Sequence, residues 1–141
     1  MNTQPRTTIA VSRIEDAAVV RAVVLRFAQR WGFDERTAKE VAIGASELAT
    51  NAVKHAGGGE LWLSLEDDAL VLRALDRGPG PPPIEQLLTD GVSRGAKRLP
   101  ETPIRGGLGC GGGALARLFD HVEIAPREGG GSSVRCSRRR R

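Results

Sequence analysis

The glycine run Gly106-Gly107-Leu108-Gly109-Cys110-Gly111-Gly112-Gly113 leads directly into a stretch with Leu115, Leu118 and Phe119 at helical spacing. Glycines that feed a helix N-terminus expose backbone N–H groups beside the positive end of the helix dipole, a cradle for phosphate. Arg94, Lys97, Arg98 and Arg105 precede the run and suit an anionic ligand. A flexible linker is the plain competing reading. A second feature is Asp76, which continues the alternating row Leu70, Leu72, Ala74 and so points toward the interior. A carboxylate there requires a donor, because burying it unpaired costs several kcal/mol. Read alone, it is also an ordinary turn aspartate before Gly78-Pro79-Gly80.

The third feature is Asp34 to Ala56, expected as one long helix with Asp34 at its N-cap and Gly57-Gly58-Gly59 at its end. Ala38, Val41, Ala42, Ala45, Leu48, Ala49 and Ala52 make its apolar stripe. Glu47, Asn51 and Lys54 gather on nearly the opposite side. Such a polar stripe is ordinarily a solvated face, yet Ile43 and Gly44 flank it, and neither suits open water on a helix.

Other elements must position these residues. Thr7 to Ser12 reads as a first strand, and Ala17 to Trp31 as a well-buried helix closed by Gly32, with Arg21, Arg26 and Arg30 emerging to water. Leu61 to Leu65 and Ala69 to Asp76 form a hairpin through Asp67-Asp68. His121 to Ala125 and Ser132 to Ser137 pair through Gly129-Gly130-Gly131. Trp62 lies on the strand face away from the leucines, exposed or packed under another element. The span from Gly78 to Gly106 lacks periodicity and has the length of a functional lid.

Composition sets outer bounds. A chain of 141 residues with 40% hydrophobic content supports one domain with a real core. No run approaches a membrane span, and Met1 to Arg13 lacks the apolar segment of a signal peptide, so a cytoplasmic location without membrane association is expected. Cys110 and Cys136 form neither a disulfide framework nor a metal-ligand spacing. The net charge of +4 equals the four arginines 138–141, expected as a basic tail. Without tyrosines or a basic stripe interleaved with aromatics, the rest argues against a nucleic-acid partner.

Three familiar sites are excluded. Gly107 to Gly112 fits GxGxxG literally, but a dinucleotide fold needs a strand immediately before it. No GxxxxGK[ST] phosphate loop occurs, and no GxSxG serine accompanies His55 or His121.

Together the pieces resemble the GHKL ATPase/kinase superfamily. Glu47-Leu48-Ala49-Thr50-Asn51 resembles its N box, Asp76-Arg77-Gly78-Pro79-Gly80 its DxGxG box, and Gly107-Leu108-Gly109-Cys110-Gly111 its GLGxG box. Gly129 to Ser132 stands where the superfamily has a GxGT element. The order of the boxes, and the lid between the second and third, agree over roughly Ile9 to Val134. Within the superfamily the chain is most similar to RsbT-like serine/threonine-protein kinases of partner-switching stress-response systems, then to RsbW/SpoIIAB-like anti-sigma factors. Ser46 to Val53, Asp90 to Ser93 and Ala116 to Asp120 favour the kinases.

The resemblance implies a Bergerat ATP-binding fold: an α/β two-layer sandwich with helices on one face of a mixed, mostly antiparallel sheet. It implies one kinase domain over residues 1–137, with a lid at about 81–106 and the tail at 138–141 beyond it. Residue by residue, it makes Asn51 the Mg²⁺ ligand, a neutral oxygen suited to a hard cation, and Glu47 the general base. Asp76 accepts from the adenine amino group, Gly78 and Gly80 let the backbone approach the base, and Ser132 stands for a threonine beside that aspartate. Lys54 and His55 complete the N-box side of the ATP site. Gly107, Leu108, Gly109, Cys110 and Gly111 serve the phosphates, and Arg105 neutralises γ-phosphate charge.

The implied activity is ATP- and Mg²⁺-dependent phosphorylation of a STAS-domain antagonist protein. The alternative is an anti-sigma factor that sequesters a sigma subunit with ATP bound. A downstream phosphatase and a homodimer are further partners the resemblance brings. One departure stands out: Gly112 and Gly113 replace the usual leucine after the last box glycine, which is expected to loosen the lid hinge.

Overall fold

In a computed structural model, residues 5–78 and 115–140 are described. Strand β1 (Arg6–Val11) leads to helix α1 (Asp16–Arg30) and helix α2 (Glu35–Ala56), then to β2 (Gly59–Glu66) and β3 (Ala69–Asp76). Helical residues 115–118 precede β4 (His121–Pro126) and β5 (Ser132–Arg139).

Local chemistry accounts for the ends of these elements. The Asp34 side chain accepts the Thr37 N–H at 2.7 Å and caps α2. At the other end Gly57, at φ +77°, lets its N–H reach Val53 C=O and lets the Gly58 N–H reach Ala52 C=O, both at 3.0 Å. At the start of α1, Asp16 accepts from the N–H groups of Ser12 (2.8 Å) and Arg13 (2.9 Å). The β2–β3 turn places Asp67 and Asp68 at φ +49° and +68°, the left-handed pair that matches the twist of a tight hairpin.

The sheet order is β1-β2-β3-β5-β4, and every pairing among the described residues is antiparallel. Period two sorts its residues. Leu61, Leu63, Leu70, Leu72, Val122 and Cys136 are buried in one core with Val20, Val24, Val41, Ala45 and Leu48 of the helices. Each leucine buried in this way contributes about 1.5–3 kcal/mol. Burial in that core pushes the Cys136 thiol well above its ordinary pKa. The expected sandwich, with helices on one face, is therefore present. On the far face Trp62 is 39% exposed and its indole N–H donates to Glu60 at 2.9 Å. Glu66 beside it pairs with Arg73 and Arg135, each at 3.6 Å.

Two expectations need correction. Helix α1 is not well buried: only Val20, Val24 and Ala28 are buried, while Val19 is 53% exposed. The helix packs mainly on α2 and also touches β1, and its outer flank at Val19 stays exposed. The expected basic tail is also not a tail. The β3–β5 ladder continues through Leu70–Arg138 and Ala69–Arg139. Arg138 pairs with Glu40 at 2.9 Å and donates to Leu118 C=O at 2.7 Å. Asp120 accepts the Arg139 N–H at 2.8 Å, and the Arg140 guanidinium holds Asp68 and Trp31 C=O. Each of these arginines finds an acceptor that only the fold brings near. Among the described residues no helix is long and apolar enough to cross a membrane.

Candidate functional site

Asp76 ends β3, and its carboxylate meets the donors that its position demands. Gly78 N–H donates to Oδ1 at 2.9 Å, and Ser132 N–H donates to the same oxygen at 3.2 Å. The Ser132 hydroxyl donates to Oδ2 at 2.7 Å. A carboxylate offers about four acceptor positions, and donors among the described residues use three of them.

Ser132 arrives there because β5 pairs with β3 and starts where β3 ends, with Leu75 opposite Ser133. The approach is close enough to require glycine just before it. Gly131 sits at φ +95°, and a Cβ there would lie 2.8 Å from Arg77 Cα and overlap the Asp76 carbonyl oxygen. That carbonyl accepts from Arg127 Nη1 at 2.8 Å. Sequence reasoning missed Arg127. It lies in the β4–β5 turn, outside the glycine motif that begins at Gly129, and only the three-dimensional return of that turn to Asp76 reveals it.

Helix α2 closes the other side. A Cβ on Gly78 would lie 2.6 Å from the Ala56 Cβ, so the turn after Asp76 rests on the last turn of α2. Glu47 and Asn51, four residues apart and half-buried, share one α2 face, while Lys54 and His55 are exposed near its C-terminus. Gly44, one turn before Glu47, is buried under Phe119: a Cβ there would come within 2.8 Å of the ring Cζ and closer still to Cε2. That contact explains the glycine which the sequence singled out. Gly78 thus lies against the end of α2 and Phe119 against its middle.

The structure brings Asp76, Gly78 and Ser132 together and sets Glu47 and Asn51 on a common face. Gly80, Arg105, Gly107, Leu108, Gly109, Cys110 and Gly111, with the lid at about 81–106, lie outside the described residues. Asn51, a neutral amide, and Glu47, a carboxylate, stand four residues apart on one α2 face, and oxygen groups of these kinds suit a hard divalent cation which keeps most of its own waters.

A half-buried carboxylate held by Gly78 and Ser132 thus ends β3 beside the last turn of a long helix that carries an acid and an amide on one face of an α/β sandwich. The chain belongs to the histidine kinase-like ATPase domain family, whose pattern it matches over residues 10–138. It is 28% identical, over 125 residues covering 86% of each chain, to the serine/threonine-protein kinase RsbT of Bacillus subtilis (strain 168). Its fold is similar to a structure of the RsbU and RsbW domains of Rv1364c from Mycobacterium tuberculosis, with a TM-score of 0.64 at 19% identity. That likeness covers 96% of this chain and 32% of the other.

Proposed function

We propose that this protein is an ATP- and Mg²⁺-dependent protein serine/threonine kinase of a partner-switching module, acting in the cytoplasm on a STAS-domain protein. The observation that carries the nucleotide reading is the Asp76 cradle. Donors from two segments hold its carboxylate beside the last turn of α2, and a carboxylate is an acceptor of the kind the exocyclic amino group of adenine requires. The kinase reading draws on the RsbT relative, which covers 86% of both chains.

In this reading Asn51 holds Mg²⁺, which when bound neutralises phosphate charge. Glu47 takes the proton of the attacking serine or threonine hydroxyl as its oxygen bonds to the γ-phosphorus and ADP departs. Lys54 and His55 lie one turn further along α2, and Gly80, Arg105 and Gly107 to Gly111 complete the phosphate side.

Calorimetry with MgATP tests the site: Asp76→Asn is expected to abolish binding, and Asn51→Ala to remove its dependence on Mg²⁺. Phosphorylation of a STAS-domain protein, lost in Glu47→Ala while ATP binding persists, then separates a kinase from an anti-sigma factor that only sequesters its partner. Absence of ATP binding to the wild type would overturn the reading.

A further inference from the structure

Asp76 is gripped at a second point, its main-chain carbonyl. Gly78 and Ser132 hold the carboxylate, and Arg127 Nη1 donates to the carbonyl oxygen at 2.8 Å. Ser132 and Arg127 stand at the two ends of one turn. β4 ends at Pro126, Pro126 pairs with Ser132, and Arg127 follows Pro126 directly. One end of the turn therefore holds the side chain of Asp76, and the other end holds its backbone.

The turn closes without the Arg127 side chain. The Arg127 N–H donates to Gly131 C=O at 3.0 Å, and the Gly130 N–H donates to Arg127 C=O at 3.1 Å. Gly129, Gly130 and Gly131, all at positive φ, supply the reversal. Among the described residues Arg127 has no ion pair, and its side chain bonds only the Asp76 carbonyl, 51 residues back in sequence. A half-buried guanidinium is thus committed to one backbone oxygen. That oxygen belongs to the Asp76–Arg77 peptide, through which the chain leaves β3. The peptide unit is planar, so fixing its oxygen also fixes the path toward Gly78, whose N–H holds Oδ1. A tilt of this plane moves that donor and turns the carboxylate relative to its other donors at Ser132.

We infer, on the nucleotide reading of this site, that Arg127 is a positioning residue for nucleobase recognition. By holding the Asp76 carbonyl it sets the angle from which the Asp76 carboxylate accepts the adenine amino group. It acts through Asp76 and not by contact with the nucleotide. Two other roles for this guanidinium make different demands. A side chain that only braced the turn would change stability and leave base preference alone. One that met the phosphates would, when removed, weaken every nucleoside triphosphate alike.

The test uses the full chain and two ligands, MgATP and the Mg²⁺ complex of purine riboside triphosphate, which keeps the ring and the phosphates but lacks the amino group. Arg127→Met keeps the apolar stem and removes the donors. In calorimetry it is expected to raise the MgATP dissociation constant about ten-fold and to leave the purine ligand nearly unchanged, so that the wild-type preference for ATP narrows. Arg127→Lys, which retains a positive donor on a long stem, should restore most of that preference. Equal weakening of both ligands, or of neither, overturns the positioning role while the nucleotide reading stands. Hydrogen exchange without nucleotide checks the link to Asp76 separately. The Gly78 and Ser132 amides should exchange faster in Arg127→Met, with the Leu63 and Leu72 amides of the central ladder unchanged. Unaltered exchange at Gly78 and Ser132 would show that Arg127 does not position Asp76, and faster exchange throughout the sheet would reduce it to a general brace. Should Arg127→Met fail to fold, Arg127→Gln takes the same measurements. A wild type that binds neither ligand would remove the nucleotide reading and the base-positioning role together.

Discussion

Ser132 holds both oxygens of Asp76 at once, its N–H on Oδ1 at 3.2 Å and its hydroxyl on Oδ2 at 2.7 Å, across 56 residues of sequence. One residue at the start of β5 thereby orients the carboxylate that ends β3. Hydrogen bonds to a charged acceptor contribute about 1.5–3 kcal/mol each. Ser132→Ala, which removes the hydroxyl and keeps the N–H, is therefore expected to raise the ATP dissociation constant by roughly ten-fold. Ser132→Thr should stay near wild type. Isothermal titration of the three proteins checks both.

Gly44 offers a prediction whose sign is informative. On an exposed helix, glycine to alanine stabilises by about 0.8–1.0 kcal/mol. Here the added methyl would run into the Phe119 ring, and overpacking of this kind costs about 1–3 kcal/mol. Gly44→Ala should lower the urea midpoint, and Phe119→Leu should recover part of the loss in the double variant. An increase in stability for Gly44→Ala would disprove the packing.

Arg138 and Arg139 are neighbours with different expected effects. The Arg138 side chain is 16% exposed and joins Glu40 on α2 to Leu118 C=O. Arg138→Ala should cost about 1–3 kcal/mol by leaving Glu40 and that carbonyl short of a donor. Arg139 is exposed and is tied to Asp120 through its backbone N–H. Arg139→Ala should stay within about 0.5 kcal/mol of wild type. Urea unfolding of each variant makes the comparison, and equal effects would return both residues to the status of a loose end.

Acid should unfold the protein partly through its helix caps. The Thr37 N–H, followed by its hydroxyl, holds the Asp34 carboxyl below the usual carboxylate range. The N–H groups of Ser12 and Arg13 do the same for Asp16. A carboxylate depressed in the folded state contributes stability that is complete above its unfolded pKa of about 4 and is lost as pH falls through the lower folded value. Asp34→Asn keeps a capping oxygen but cannot titrate. The stability gap between wild type and this variant should therefore close as the pH falls below about 4, and urea midpoints at a series of acid pH values measure it.

Local features were legible in the sequence wherever the cause was local. Asp34 and Gly57 bound α2 because a cap and a left-handed glycine act within four residues of the helix end. The hairpin and the inward rows of leucines follow from period two, which also set Trp62 on the opposite face but left open whether another element covers it. The same periodicity showed that Asp76 needed a donor. Glu47 and Asn51 share a face by helical spacing alone.

Tertiary structure decided what depends on which distant segments meet. The sequence could match Ser132 to a motif position, but the bonds to both Asp76 oxygens exist only because β5 lies against β3. Arg127 carried no signal at all. Gly44 was visibly out of place, and its reason, the Phe119 ring, lies 75 residues away in sequence. Arg138 to Arg140 read as a basic tail because charge alone names no partner, and the fold supplied Glu40, Asp68 and Asp120. Helix α1 read as buried because its apolar residues are spread around it. The sheet ends at β1, beneath only part of that helix, and this edge decides that Val19 faces outward. Spacing along a chain determines what a segment can bury, and only the assembled layers determine what is there to bury it against.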